Sequence, residues 1–175
     1  KEEFSDLYRE QQEEKALEED FVEDVTVESD LELMFPVTYI PNDAERVAIY
    51  RELDNMETET QILDFMTRLE DRFGKIPPQG KELIRIVRLR RLAKSSGIEK
   101  IILKNNQMTL NLVSDPESPY YRSAAFERLL NYVQYRPRDC QLRESGKKRS
   151  VIIRNIRTVE AAIAVFEEMK QKQPA

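Results

Sequence analysis

Few side chains in this sequence are suited to catalysis. The chain has no histidine, which removes the most common general base and the most common metal ligand. The single cysteine, Cys140, cannot build a thiolate metal site or an internal disulfide. The four glycines are scattered, so no glycine-rich loop can hold a phosphate group. These residue types predict a domain without a catalytic centre, a cofactor or a metal ion.

A row of basic residues is the first pattern that could bind a ligand. Lys81, Arg85, Arg88 and Arg91 follow one another at helical spacing, and such a face could neutralise several phosphates of a nucleic acid. The alternative is a solvated or protein-contacting face whose aliphatic stems cover the core. Residues 25–175 carry a net charge of only +3. We therefore expect these arginines to be exposed or paired with surface carboxylates.

An acidic helix face is the second pattern. Thr58 and Gln61 form a capping-box signature and Gly74 provides a stop, which predicts a helix over residues 59–73. Its apolar side chains share one face: Ile62, Phe65, Met66, Leu69 and Phe73. The outward residues are Asp64, Thr67 and Asp71, with Arg68 and Glu70 beside them. Such a face is most often simply solvated, and the alternative is a protein contact.

The elements that would position these residues indicate an α+β fold. Hairpins near residues 98–113 and 139–154, with an alternating strand near 25–35, predict a small antiparallel sheet packed with about five helices. The predicted helices cover residues 42–53, 58–73, 78–97, 121–133 and 158–170. Two prolines bracket a predicted extended piece over residues 37–40. In the first helix, Ala44, Val47 and Ala48 are predicted to face inward, with the stem of Arg51.

Composition and charge divide the chain into two parts. Residues 1–24 hold eleven acidic and three basic side chains, which predicts an acidic helical connector in front of a domain over 25–175. No apolar run approaches the ~20 residues of a membrane span. The lone cysteine favours a reduced, cytoplasmic setting. We expect the chain to be a monomeric piece of a larger protein.

Several short strings resemble a known family. They are Tyr39-Ile40-Pro41, Arg46, Tyr50-Arg51, Thr58-Glu59, Asp71-Arg72-Phe73-Gly74 with Pro77, Leu89-Arg90 and Gly97-Ile98. Together they resemble the C-terminal regulatory domain of the bacterial transcription-repair coupling factors, over about residues 25–170. The Asp-Arg-Phe-Gly string followed by proline is the most specific part. Residues 1–24 then resemble a connector from a preceding motor domain.

The resemblance implies a regulatory role within a larger protein. Members of this family are ATP-driven translocases on duplex DNA that act on stalled RNA polymerase and recruit excision repair through UvrA. Their C-terminal domain folds onto the UvrB-like module of the same protein, masks the UvrA-binding surface and restrains the motor. The motor motifs are absent from this chain, so the resemblance implies a domain that is not itself an enzyme.

The resemblance also implies where the contact lies. In the family, an acidic patch on the helix that ends in Asp-Arg-Phe-Gly meets arginines of the UvrB-like module, and Asp71 occupies the matching position. One turn earlier some relatives have an acidic residue, whereas this chain has Arg68. The contact is therefore expected to use Asp64 or Glu70 as well, or a reversed charge pairing. A nucleic-acid-binding module that uses the face from Lys81 to Arg91 is the alternative function.

Overall fold

The computed structural model describes residues 21–171, so the predicted connector lies almost entirely outside the described residues. In this range the helices are α1 (Asp43–Asp54), α2 (Glu59–Phe73), α3 (Pro78–Ser95), α4 (Ala124–Gln134) and α5 (Val159–Met169), with a 3-10 helix at Pro119–Arg122. The strands are β1 (Thr26–Ser29), β2 (Ile98–Lys104), β3 (Gln107–Leu112), β4 (Cys140–Ser145) and β5 (Lys148–Arg154). The predicted α+β class is confirmed.

The five described strands form one sheet in the order β1-β2-β3-β5-β4. Both predicted hairpins are present as antiparallel pairs. Asn105 and Asn106 adopt φ values of 55° and 59°, the left-handed conformation that a two-residue hairpin turn needs. The two hairpins join through β3 and β5, which are also antiparallel.

The first strand differs from its prediction. It covers only Thr26–Ser29 and pairs in parallel with β2, so the sheet is mixed rather than antiparallel. Three helices separate β1 from β2 in the chain, and a connection of this length allows a parallel pairing. The alternating residues beyond β1 bury their side chains without forming a strand: Leu31 and Leu33 pack against the sheet, and Phe35 is buried among the helices.

The segment between Pro36 and Pro41 is a turn, and the predicted extended piece is wrong. The backbone N–H groups of Tyr39 and Ile40 both donate to the Pro36 carbonyl, at 2.9 and 3.0 Å. This turn buries Ile40 completely and directs the Tyr39 phenol toward the C-terminal end of α2. The gain from burying Ile40 explains why the chain bends here.

Helix α1 begins as predicted but turns a different face inward. The Asn42 side chain accepts the Glu45 N–H at 2.9 Å and caps the helix. Val47, however, is 46% exposed, and Ala44 and Ala48 are also exposed. The buried face is formed instead by Ile49, Tyr50 and Leu53. These side chains bury more apolar area than two alanines and a valine, so the larger face lies against the core.

The described residues form two hydrophobic clusters that share α3. Ile84 and Val87 of α3 belong to a cluster built from α1, α2 and residues 35–40. Leu89, Leu92 and Ala93 belong to the larger cluster, which the sheet forms with α4 and α5. The N-terminal end of α3 is also tied to α5, since the Glu82 carboxylate accepts the Val159 N–H at 2.8 Å.

Gly97 joins α3 to β2 at a close contact. Its φ is +73°, and a Cβ at this position would overlap the ring of Tyr120. Tyr120 is fully buried, and its ring contacts Phe21 at a centroid distance of 5.4 Å. Glycine is therefore required here both by the backbone conformation and by the aromatic ring.

We predict that Gly97→Ala lowers the free energy of unfolding by about 2–4 kcal/mol, from left-handed strain plus overpacking against Tyr120. Gly146→Ala is the matched control, because Gly146 has a φ of +63° but no atom lies within 4 Å of the position that its Cβ would take. The control is expected to cost about 1 kcal/mol. Urea unfolding of both variants measures the difference, and equal losses would contradict the role of the Tyr120 ring.

Candidate protein interface

Helix α2 is defined at both ends by its own residues. The Gln61 N–H donates to the Thr58 hydroxyl at 3.2 Å, and the Thr58 N–H donates to the Gln61 side-chain oxygen at 3.1 Å, so the predicted capping box is present. At the other end Gly74 adopts a φ of +86°, and its N–H donates to the Glu70 carbonyl at 3.0 Å. The helix therefore ends directly after the residues that carry the candidate site.

The two faces of α2 are those that the sequence predicted. Ile62, Phe65 and Leu69 are buried, and Met66 and Phe73 are partly buried against the same cluster. Five predicted site residues are exposed on the other side and are called the α2 face below: Asp64, Thr67, Arg68, Glu70 and Asp71. The exposure of this face is confirmed, and its role in binding stays a prediction.

Arg68 is held by carboxylates of its own domain. Its Nε lies 3.1 Å from an Asp64 oxygen, and its guanidinium also pairs with Glu52 of α1. The hydrogen bond with Glu52 raises the pKa of Arg68 above its ordinary value, and the one with Asp64 adds to this effect. A second arginine, Arg72, pairs with Glu45 of α1 at 2.6 Å. Two ion pairs therefore bridge α1 and α2.

The remaining members of the α2 face differ in what they contact. The Thr67 hydroxyl donates to the Leu63 carbonyl of its own helix at 3.0 Å. Glu70 and Asp71 form no ion pair within residues 21–171. The α2 face thus presents two carboxylates near the end of the helix that are available to an external cation.

Sequence reasoning missed three contributors to this surface. Glu45 and Glu52 come from α1, and only the structure shows that their spacing of seven residues aligns them with Arg72 and Arg68. Leu63 is 58% exposed and lies one turn before Thr67. The sequence could have indicated this exposure, because Leu63 lies outside the apolar face of α2 and at helical spacing from Thr67 and Glu70. The surface therefore combines an exposed leucine with a carboxylate cluster.

A shallow groove of about 180 Å³ separates the exposed sides of α1 and α2. Its lining includes Ile49, Phe65 and the two bridging ion pairs. A volume of this size is below the roughly 300 Å³ at which small-molecule sites begin. The surface is thus better suited to a protein than to an enclosed substrate.

The three arginines of the basic row on α3 are paired with carboxylates, one of the two outcomes that the sequence predicted for them. Arg85 lies 3.1 Å from Glu82, Arg88 lies 2.7 Å from Glu167, and Arg91 lies 3.8 Å from Glu59. These pairs neutralise much of the positive charge that a nucleic acid would need. The row therefore acts mainly as a link between α3 and its neighbouring helices.

Metal and thiol chemistry have no support in the described part of the chain. Within it no three histidine, cysteine, aspartate or glutamate side chains are placed to hold a metal ion. Cys140 is buried, and burial raises the pKa of its thiol to about 11, which keeps it protonated. Among residues 21–171 there is also no helix with the length and apolar character needed to cross a membrane.

Comparison with known proteins identifies the family. A family model described as the TRCF domain matches residues 29–123, which include α1, α2, α3 and the first hairpin. The chain belongs to the TRCF domain family. The match contains the whole α2 face and ends before the β4–β5 hairpin.

Curated relatives of this TRCF domain are transcription-repair-coupling factors. The protein from Staphylococcus epidermidis strain RP62A is 30% identical over 95 residues, which are 54% of this chain and 8% of the relative. The Staphylococcus haemolyticus protein is 32% identical over 95 residues, again 54% of this chain and 8% of the relative. The Staphylococcus aureus USA300 protein is 34% identical over 91 residues, 52% of this chain and 8% of the relative. The matched region is thus a small part of each relative.

A solved structure shares the fold of this TRCF domain. It is the crystal structure of a C-terminal domain of transcription-repair coupling factor, with a TM-score of 0.65 and 15% sequence identity. The alignment covers 84% of this chain and 94% of that structure. The arrangement of helices and mixed sheet is therefore the fold of that C-terminal domain.

Tyr39 positions the end of α2, and removing its hydroxyl tests how much this contact stabilises the helix that carries the α2 face. Its phenol donates to the Gly74 carbonyl at 2.8 Å, next to Glu70 and Asp71. We predict that Tyr39→Phe lowers the free energy of unfolding by about 1 kcal/mol, because the carbonyl loses its donor. Tyr135→Phe is the control, since Tyr135 is 53% exposed. Chemical denaturation measures both variants, and equal stability of the two would contradict this role.

Proposed function

We propose that this chain is the non-catalytic regulatory domain of a transcription-repair coupling factor and binds the UvrB-like module of the same protein through the α2 face. The observation that carries this proposal is the pair of exposed carboxylates, Glu70 and Asp71, on a helix inside the family match. Asp71 is also the position that the family resemblance connects with arginines of the module. The resemblance of sequence and of fold supports the assignment.

The proposed contact has two consequences in the larger protein. By covering the UvrB-like module, the domain masks the surface that binds UvrA, and by holding the closed arrangement it restrains the ATP-dependent motor on DNA. RNA polymerase and DNA are then reached through the rest of the protein. The domain itself contributes binding rather than catalysis, and its setting is the cytoplasm.

The surface around Arg68 is net negative although Arg68 itself is positively charged. Glu52 and Asp64 already pair with Arg68, and Glu45 pairs with Arg72. Counting Glu70 and Asp71 as well, this surface carries five carboxylates and two guanidinium groups, a net charge of −3. A surface of this sign complements arginines on a partner and favours association with them.

The proposed contact between the α2 face and the UvrB-like module is weak enough for a competing partner to displace it. Ion pairs between exposed groups contribute only about 0–1 kcal/mol each. Leu63 adds a modest apolar area at the same surface. Within one polypeptide the effective concentration of the two partners strengthens such a contact without further interactions. Separate fragments are therefore expected to bind weakly.

We predict that Asp71→Arg leaves the folding of this chain intact, because Asp71 is exposed and forms no ion pair in the described residues. In the full-length protein it should raise UvrA binding and ATPase activity by about tenfold, which corresponds to losing roughly 1.4 kcal/mol of contact energy. The measurements are the melting temperature of this chain, and UvrA pull-down and ATP turnover by the full-length protein.

Glu117→Arg is the matched control, since it makes the same charge reversal at an exposed loop position next to the sheet cluster. It should change neither UvrA binding nor turnover. Equal UvrA binding by the Asp71 variant and the unmodified protein would contradict the assignment of Asp71. Loss of folding in the Asp71 variant would show instead that α2 turns a different face outward.

A further inference from the structure

The positive charge of the described residues is concentrated in one region. Residues 21–171 hold equal numbers of acidic and basic side chains, 24 of each. Residues 120–157 alone hold ten basic and three acidic side chains, a net charge of +7. This region contains α4 and the β4–β5 hairpin, and it lies almost wholly beyond the family match, which ends at residue 123.

The hairpin register places three of these cations on one side of the sheet. Cys140, Val151 and Ile153 belong to the sheet cluster and define the side that faces the core. Because side chains alternate along a strand, Arg143, Lys148 and Arg154 point to the opposite side. From Lys148 to Arg154 they extend over roughly 20 Å at ~3.3 Å per residue. These three residues are called the basic hairpin face below.

The basic hairpin face differs from the row on α3 because its cations lack carboxylate partners. Arg143 and Lys148 form no ion pair within residues 21–171. Arg154 donates to neutral acceptors, the Arg138 carbonyl at 3.1 Å and the Gln141 side-chain oxygen at 3.4 Å. The hairpin's ion pair, between Arg149 and Glu144 at 3.5 Å, lies on the core-facing side of these strands.

Ile152 of β5 lies on the same side as these cations and is buried, so the face is not wholly polar. The adjacent strand β3 extends this face with polar, uncharged side chains. Thr109 and Asn111 of β3 lie on the same side, since they pair with Ile152 and Ser150. The nearest carboxylate in register is Asp139, which directly precedes β4 and lies opposite Arg154. Glu28, on the far strand of the sheet, is already bound by Lys100 at 2.8 Å and by Lys104 at 3.6 Å. The surface next to the hairpin therefore offers hydrogen-bond donors and unneutralised cations.

We propose that the basic hairpin face binds the sugar-phosphate backbone of duplex DNA. Several successive phosphates of one strand fit along ~20 Å, since they follow one another every ~3.4 Å of the helix axis. None of the five described strands contains an aromatic residue, so the bases of a single strand have nothing to stack on. Contacts of this kind hold the phosphate backbone without reading the base sequence. The binding surface is distinct from the α2 face.

The test measures binding of this chain to a fluorescently labelled 20-base-pair duplex by anisotropy, from 25 to 150 mM NaCl. Arg143→Gln with Lys148→Gln removes two cations that lack partners. This double variant should bind about tenfold more weakly at 25 mM NaCl, and its log–log salt slope should fall by about 1.8, or ~0.9 per phosphate contact. For the unmodified chain, binding should be lost by 150 mM NaCl.

The matched control is Arg85→Gln with Arg88→Gln, which makes the same charge change at residues that pair with Glu82 and Glu167. The acidic residues 1–24 are common to all variants, so their repulsion cancels in the comparison. Melting temperatures confirm that each variant is folded. A loss of duplex affinity in the Arg143→Gln with Lys148→Gln variant alone supports the proposal.

Four outcomes would overturn it. An equal loss of DNA affinity in the two double variants would show a non-local effect of net charge. Unchanged affinity in both variants would show that DNA does not bind the basic hairpin face. Equal or tighter binding of a single strand of the same length would exclude recognition of the duplex. Displacement of the duplex by polyglutamate at equal charge concentration would assign the face to an acidic protein instead.

Discussion

The burial of α3 on two sides is the constraint on which the rest of the structure depends. Its early and middle turns supply Ile84 and Val87 to the helical cluster, and its later turns supply Leu89 and Ala93 to the sheet cluster. One continuous helix therefore fixes the helices that carry the α2 face relative to the sheet that carries the basic hairpin face. Gly97 ends this connection where the chain passes under Tyr120 and enters the sheet.

This arrangement separates two surfaces of opposite charge on one domain. The α2 face carries three carboxylates and one guanidinium, and Glu45 and Glu52 of α1 add further negative charge beside it. The basic hairpin face collects its charge from two neighbouring strands. In the two proposals, the acidic surface binds the UvrB-like module and the basic surface binds DNA, so they act on different partners. On this account, opening the first contact leaves the second surface and its fold unchanged.

The parts that were predictable from sequence rest on local signals. The capping box at Thr58, the stop at Gly74 and the asparagine turn are set by residues within a few positions, and each is present in the structure. The parallel pairing of β1, the turn after Pro36 and the inward face of α1 depend on tertiary packing, and there the sequence predictions were wrong. Glu52 and Glu45, which pair with Arg68 and Arg72, likewise come from a different helix.

The most direct test of the central claim is to mix this chain with the separately produced UvrB-like module of the same protein and measure association by titration calorimetry. The account predicts weak binding that decreases with added salt, becomes about tenfold weaker with Asp71→Arg and is unaffected by Arg143→Gln with Lys148→Gln. No association at low salt, or equal affinity for the Asp71→Arg variant, would contradict the claim that the α2 face binds this module.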